Sequence, residues 1–405
     1  MWTPHLGSPH MTSASVRSML GESGHRDIVV ALGDGVGSVN VLDDGTSIGA
    51  ILSDHAAETG CVTVILGWSP VATQGIRPDD FARVVTLMPG WGVRPLLPSP
   101  VTRAVPTSMA AIPALLSGPL RPDVLITRMT VRDGGLRFCT EVSWQRALID
   151  DGIAIWAVID DSAVCADAGP PLPESAVTIV GRVGDAPAES PERPIDDVYH
   201  ALAERVLAFI PEGSRLQYGP GQLGTALLQR ATRPLAIDTG LLTDAVVELD
   251  ARGLLVGQPS ATYLFGTGEL FGWADGRPIL RGIDHSHDLT RLSRGAPFVA
   301  VNTAIEIDPV GQINVEGVGS KVVGGIGGHP DYCTAARLSR GGVSIIAVPS
   351  RFGGRSPLVE QLTRPASTPA HDVEVIVTEN GHADLRDADW AERRRRIGRL
   401  FERAA

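Results

Sequence analysis

Nine short apolar runs punctuate this chain and constrain its fold more than any other feature. They are DIVVAL (27–32), VTVILG (62–67), DVLITR (123–128), IAIWAVI (153–159), RLQYG (215–219), PLAID (234–238), PFVAVN (297–302), GVSIIAVP (342–349) and VEVIVT (373–378), and each reads as a buried strand. Helix-like segments lie between several of them: GTSIGAILSDHAAETG, DDVYHALAERVLAFI, GQLGTALLQRA and LTDAVVELDARG. Strands without polar alternation, separated by helices, imply parallel or mixed sheets covered by helices, hence an α/β protein.

At 405 residues the chain is too long for one core of ordinary size, so two domains are expected. The Pro- and acid-rich stretch GDAPAESPERPID (184–196) has no periodicity and reads as the linker. It leaves a first domain over 11–185, a linker over 186–196 and a second domain over 197–405. GSPHM near the start reads as a tag remnant within residues 1–10, with Met11 as the native start.

A net charge of −11 argues against nucleic-acid and anionic-membrane partners. Cys61, Cys139, Cys165 and Cys333 are widely spaced without a CxxC pair, which points to reduced thiols in a cytoplasmic protein. No apolar run approaches the roughly 20 residues that span a bilayer, and no signal peptide is read at the start. Lys321 is the sole lysine, which restricts Schiff-base chemistry to one position.

The most informative region is 301–350. Its Gly317, Gly319, Gly324, Gly325, Gly327 and Gly328 permit positive φ and close approach of backbone to a ligand, or simply tight turns. Successive N–H groups in such a loop suit an anion or a developing oxyanion. Three other features weigh less. GDGVGS (33–38) follows a strand but lacks GxGxxG spacing, and reads as a strand-end turn. HSHD (285–288) has no flanking metal ligands at an interpretable spacing, so a surface pair of histidines is the favoured reading and no metal is expected. ERRRR (392–396) reads as a solvated face of the terminal helix.

Several of these stretches, in order, resemble the acetyl-CoA hydrolase/acetate CoA-transferase family. They are GSRLQYGPGQLGTAL (213–227), LFGTGELFGWADGRP (264–278), NTAIEID followed by GQIN, GGIGGHPDY, RLSRGGVSIIAVPS, and VEVIVTENGHADLRDADWAERRRR (373–396). The likeness covers about 200–400 and is fainter earlier, resting there on DVLITRMTVRDGGLRFCTEVSW (123–144). It implies two related CoA-transferase-like α/β domains with an acyl-CoA thioester as substrate between them, and a homodimer as the default assembly. Family transferases attack the thioester with a glutamate, forming a glutamyl–CoA intermediate. The matching stretch here is LAIDTGLLTDAVVEL (235–249), with Gly240 at the place of that glutamate and Asp238 at the place of a histidine.

That departure directs attention to other carboxylates. Glu141, in FCTEVSW, is either a general base with a pKa raised by burial or a strand residue facing solvent. Glu306, in NTAIEID, either acts as the base or orients nearby backbone. Asp238 either reaches the reaction centre or caps the turn. The resemblance assigns Gly327 and Gly328 to the thioester carbonyl. Gly219 and Gly221 would let CoA approach a helix N-terminus, Gly240 and Gly325 would line the ligand, and Lys321 and Arg340 either meet CoA phosphates or are solvated charges. The expected reaction is hydrolysis, of the thioester or of a C–C bond, without a glutamyl–CoA intermediate. The alternatives are CoA transfer to a carboxylate and noncatalytic acyl-CoA binding. Specificity is expected from 67–75 and 106–115.

Overall fold

The computed structural model describes residues 13–22, 26–37, 41–161, 165–172, 177–191 and 193–402. The tag remnant expected over 1–10 lies outside them. The chain forms two compact units. The first comprises Met1–Pro106, Ala111–Glu189 and Ala274–Gly282; the second comprises Thr107–Ala110, Ser190–Trp273 and Ile283–Ala405.

The first unit carries β1 (Ile28–Leu32), β2 (Val62–Leu66), β3 (Arg83–Thr86), β4 (Thr102–Ala104), β5 (Val124–Arg132), β6 (Gly135–Arg137), β7 (Ala154–Asp160) and β8 (Val177–Val183). They lie in the order β4-β3-β2-β1-β5-β7-β8, parallel throughout, and β6 folds back antiparallel on β5. β2 is buried at every residue, as a strand covered on both faces must be. The helix Ile48–Thr59 is bounded as its sequence dictates: the Ser47 hydroxyl accepts from Ala50 N, and Gly60 ends it at φ 68°. Because β1 is followed by β2 on one side and β5 lies on the other, the strand order reverses at β1/β5. Ligands of doubly wound sheets bind beyond the strand ends at such a point.

The second unit repeats the principle with β9 (Arg215–Tyr218), β10 (Ala236–Ile237), β11 (Leu241–Leu242), β12 (Tyr263–Leu264), β13 (Phe298–Asn302), β14 (Glu306–Ile307), β15 (Ile313–Asn314), β16 (Gly317–Val318), β17 (Lys321–Val322), β18 (Val343–Ala347), β19 (Val375–Thr378) and β20 (Gly381–Asp384). The main sheet runs β10-β9-β13-β18-β19-β20, parallel except for β20. Its order reverses at β9/β13. β11 pairs with β12, β14 with β15, and β16 with β17.

All nine runs read from the sequence contain strands. The other strands lie outside those runs; β8, for example, buries only part of its length and interrupts its apolar residues with Thr178, Gly181 and Arg182. The terminal helix Trp390–Glu402 corrects the reading of ERRRR as wholly solvated. Arg393 is buried and donates to the carbonyls of Val310, Ala370 and Val373, tying these loop ends together.

Candidate active site

In the first unit, the loop after β1 turns back over Glu141. Gly33 N donates to Ile126 O at 2.8 Å and Gly35 N to Trp68 O at 2.7 Å, which fixes the loop to the neighbouring strands. Glu141 is buried and is not in a strand, so its solvent-facing alternative is removed. Its Oε2 accepts from Gly37 N at 3.2 Å and from the Thr140 hydroxyl at 2.9 Å. A Cβ on Gly35 would lie 2.3 Å from Oε2, and one on Gly37 would lie 2.6 Å from Oε1. Gly35 and Gly37 therefore let the backbone wrap around this carboxylate. Burial pushes Glu141 up to about 7 against the pull of the Gly37 and Thr140 donors, with Asp34 adding to the rise. Asp34 is itself held by Ser143 Oγ at 3.0 Å and Gln145 Nε2 at 3.4 Å. Ser143 adopts φ 51°, a conformation unusual for a non-glycine residue, to aim that hydroxyl.

In the second unit, PLAIDTGLL crosses from β10 to β11. Asp238 accepts from Arg215 Nη1 at 3.0 Å and from Arg291 Nη1 and Nη2 at 2.8 and 2.9 Å. It is saturated by two guanidinium groups and anchors the turn. Thr239 Oγ1 donates to Tyr218 O at 2.8 Å, tying the turn to the end of β9. Gly240 has no left-handed φ. A Cβ there would sit 3.0 Å from the Tyr332 hydroxyl and 3.4 Å from both Cε1 and Nε2 of His287, so the turn packs closely against these two side chains.

Gly328 faces the same pair. A Cβ on it would lie 2.5 Å from His287 Nε2 and 2.8 Å from Tyr332 Cε2, so only glycine fits. The preceding Gly327 has φ 63° and its carbonyl accepts from Met109 N at 3.0 Å. Asp331 accepts from Ala110 N at 2.9 Å, so residues 107–110 form a strap that fixes the glycine loop from a distant part of the chain. Burial raises Asp331 to about 6, against those donors.

His287 is buried, packs its ring 4.7 Å from that of Tyr332, and shares a 3.0 Å hydrogen bond between Nδ1 and Ser286 Oγ. Burial drops it to about 3, with Arg291 adding a smaller push, so the imidazole is neutral. This corrects the reading of HSHD as surface histidines. Asp288 caps the next helix by accepting from Thr290 N at 2.8 Å, and the His285 carbonyl accepts from Arg291 Nε. Among the described residues no group of His, Cys, Asp or Glu has the makings of a metal site.

The other expected residues lie elsewhere. Glu306 is buried, taking Asn314 Nδ2 at 2.7 Å, Thr363 N at 2.9 Å and Thr363 Oγ1 at 2.8 Å. Three donors make it a clamp between β14 and the loop at Thr363. Gly219 and Gly221 follow β9, and Gly221, at φ 113°, caps the helix Gln222–Arg230; nothing lies within 4 Å of a Cβ at either. Lys321 is exposed on β17, and Gly325 belongs to the half-buried loop before Gly327. Arg340 is exposed beyond the far end of the helix His329–Leu338, roughly 15 Å along its axis from Gly328. Thus the structure brings Gly240 and Gly328 together, adds His287 and Tyr332, and leaves Arg340 apart from them.

Two reversed α/β sheets, each with a glycine-bordered buried polar cluster, define the class: an α/β protein of the CoA-transferase-like fold. Residues 266–400 match the model of the acetyl-CoA hydrolase/transferase C-terminal domain. RipA from Yersinia pestis superimposes with a TM-score of 0.84 at 21% identity, over 95% of this chain and 93% of that one. A 4-hydroxybutyrate CoA-transferase from Porphyromonas gingivalis does so with a TM-score of 0.72 at 20% identity, over 95% and 92%. In sequence, a 4-hydroxybutyrate coenzyme A transferase from Clostridium kluyveri is 28% identical over 219 residues, 50% of this chain and 51% of that protein. The chain spans about half the length of the first curated relatives it matches.

Proposed function

We propose that this protein is an enzyme that hydrolyses an acyl-CoA thioester without a glutamyl–CoA intermediate. One observation carries the reading: at the turn where the family resemblance expects the glutamate, Gly240 stands with its side-chain space bordered by the Tyr332 hydroxyl and His287, rather than closed by backbone. A nucleophile other than a side chain at 240 is therefore required, and water is the simplest. The Gly327–Gly328 loop supports the reading, since backbone donors at a thioester carbonyl do not depend on the missing carboxylate. Glu141 is assigned as the proton-exchanging carboxylate, because a group held at about 7 is populated in both forms near neutrality. Glu306, with its three donors, is assigned to holding the loop.

The test is incubation with an acyl-CoA panel, following free thiol and product masses, with and without a carboxylic acid acceptor. Thiol release that needs no acceptor, with no glutamate modified by borohydride or hydroxylamine trapping, is expected. CoA exchange that requires an acceptor would overturn hydrolysis in favour of transfer. Glu141→Gln should lower turnover at least tenfold and flatten the pH profile near 7.

A further inference from the structure

In the first unit the segment 165–172 runs back along the chain that leaves β6. Leu172 N donates to Leu136 O at 2.8 Å and Ala166 N to Cys139 O at 3.1 Å, so the main chains at 139 and 165 lie side by side. The Cys165 sulfur rests against the same run, with Sγ 3.4 Å from Phe138 O and 3.3 Å from Ala166 O. Both cysteines are buried and free, and their sulfurs share a hydrogen bond.

The two thiols are not equivalent. The hydrogen bond from Cys139 holds Cys165 below the ordinary thiol range, and the Arg132 guanidinium adds to this, against burial and the charge of Asp275. Arg132 is fixed for that role: Nη1 donates to Cys165 O at 2.9 Å and pairs with Asp275, which also accepts from Cys165 N at 3.1 Å. The same hydrogen bond, together with burial, pushes Cys139 the other way, so it keeps its proton. One sulfur is therefore suited to attack and its neighbour to resolve what the attack forms. The remaining cysteines are placed differently. The Cys61 thiol donates to Thr59 O at 3.1 Å, and Cys333 sits between Asn302 and His329, pushed up to about 12 by burial.

We propose that Cys139 and Cys165 form a redox-active dithiol, which a hydroperoxide converts to a disulfide. The Cys165 thiolate attacks one peroxide oxygen, the O–O bond breaks, and the leaving hydroxide takes up a proton to become water. Cys165 is then a sulfenic acid. The Cys139 sulfur attacks the oxidised sulfur, the S–O bond breaks, and the oxygen leaves as a second water with the Cys139 proton. Two thiols are oxidised by two electrons and one peroxide is reduced to two waters. The sulfurs must close from hydrogen-bond contact to about 2.05 Å, which rotation about the side-chain bonds supplies because the main chains are already adjacent. Burial of the pair restricts the oxidant to a small one. This site is independent of the hydrolytic reading, and neither stands or falls with the other.

The test uses the full chain and hydrogen peroxide. The folded protein should lose two of its four thiols, and peptide mapping should place the new bond between 139 and 165, with dithiothreitol restoring both thiols. Cys139→Ser lacks the resolving sulfur and should stop at a sulfenic acid on Cys165, which dimedone labels. In Cys165→Ser, oxidation at Cys139 should be slower by about tenfold or more. If Cys139 and Cys165 both remain open to alkylation after denaturation while Cys61 is oxidised, or if either is bonded to a different cysteine, the proposal is overturned. Dimedone labelling of Cys139 in Cys165→Ser as fast as that of Cys165 in Cys139→Ser overturns the division of roles. The wild-type measurement decides the pairing even if a variant fails to fold.

Discussion

Replacing Gly240 with glutamate would set a carboxylate beside groups that are already in place. The backbone permits it, and the close contact is with a hydroxyl that sits 3.0 Å away and has only to yield slightly. Gly240→Glu should therefore fold and form a glutamyl–CoA adduct detectable by mass after borohydride trapping, diverting turnover from hydrolysis to transfer. Gly328 behaves differently. A methyl group there would lie 2.5 Å from His287 Nε2, so Gly328→Ala must push the imidazole aside. Denaturation should show about 1–3 kcal/mol of lost stability, together with reduced turnover. Among single residues, Gly240 was legible from its motif alone. His287 was visible only as part of HSHD, where spacing suggested a metal or a surface pair. Nothing local in the sequence reveals that this histidine is buried against Gly240, because that contact is created by tertiary packing.

The elements around the site are held by carboxylates that have become fasteners. Asp331 secures the 107–110 strap by taking the Ala110 N–H, and the strap in turn fixes the Gly327 carbonyl. Asp331→Asn should cost on the order of 1–2 kcal/mol and speed hydrogen exchange at Met109 and Ala110, with turnover falling because the glycine loop loses its support. Glu306→Gln breaks the clamp on Thr363 and should likewise cost stability, with little effect on the pH profile. Element types followed from sequence wherever apolar runs were long, as in β2 and β7. They were hidden where a strand buries one face only, as in β8, or spans two residues, as in β14 and β15, since a pair of residues carries no period. The strap has no sequence signature, being a short segment whose partners lie two hundred residues away.

Across the whole molecule, buried titratable groups pull folding stability in opposite directions with pH. Glu141, at about 7, and Asp331, at about 6, bind a proton more tightly folded than unfolded, so each withdraws stability as pH rises from near 4 to its folded value. His287, at about 3, and His329, at about 4, stay neutral while the unfolded chain takes up protons below about 6.5, so each withdraws stability as pH falls through that range. Glu141→Gln removes one of the components that fall with rising pH. The unfolding free energy at pH 7.5 minus that at pH 5, from urea denaturation, should then become more positive by on the order of 1–3 kcal/mol relative to wild type.

The strap also bears on how the protein is made. The first unit includes Ala274–Gly282, and the second draws Thr107–Ala110 from the first half of the chain. A ribosome delivers the β1–β8 sheet long before the segment that completes its unit, so that sheet must wait, incomplete, through much of the synthesis of its successor. Cutting the gene at the linker would leave each product short of a piece carried by the other. Residues 190–405 expressed alone should expose the Gly327 loop to rapid proteolysis, and supplying residues 1–189 in the same cell should restore protection only in part, since Ala274–Gly282 stays tethered to the wrong fragment.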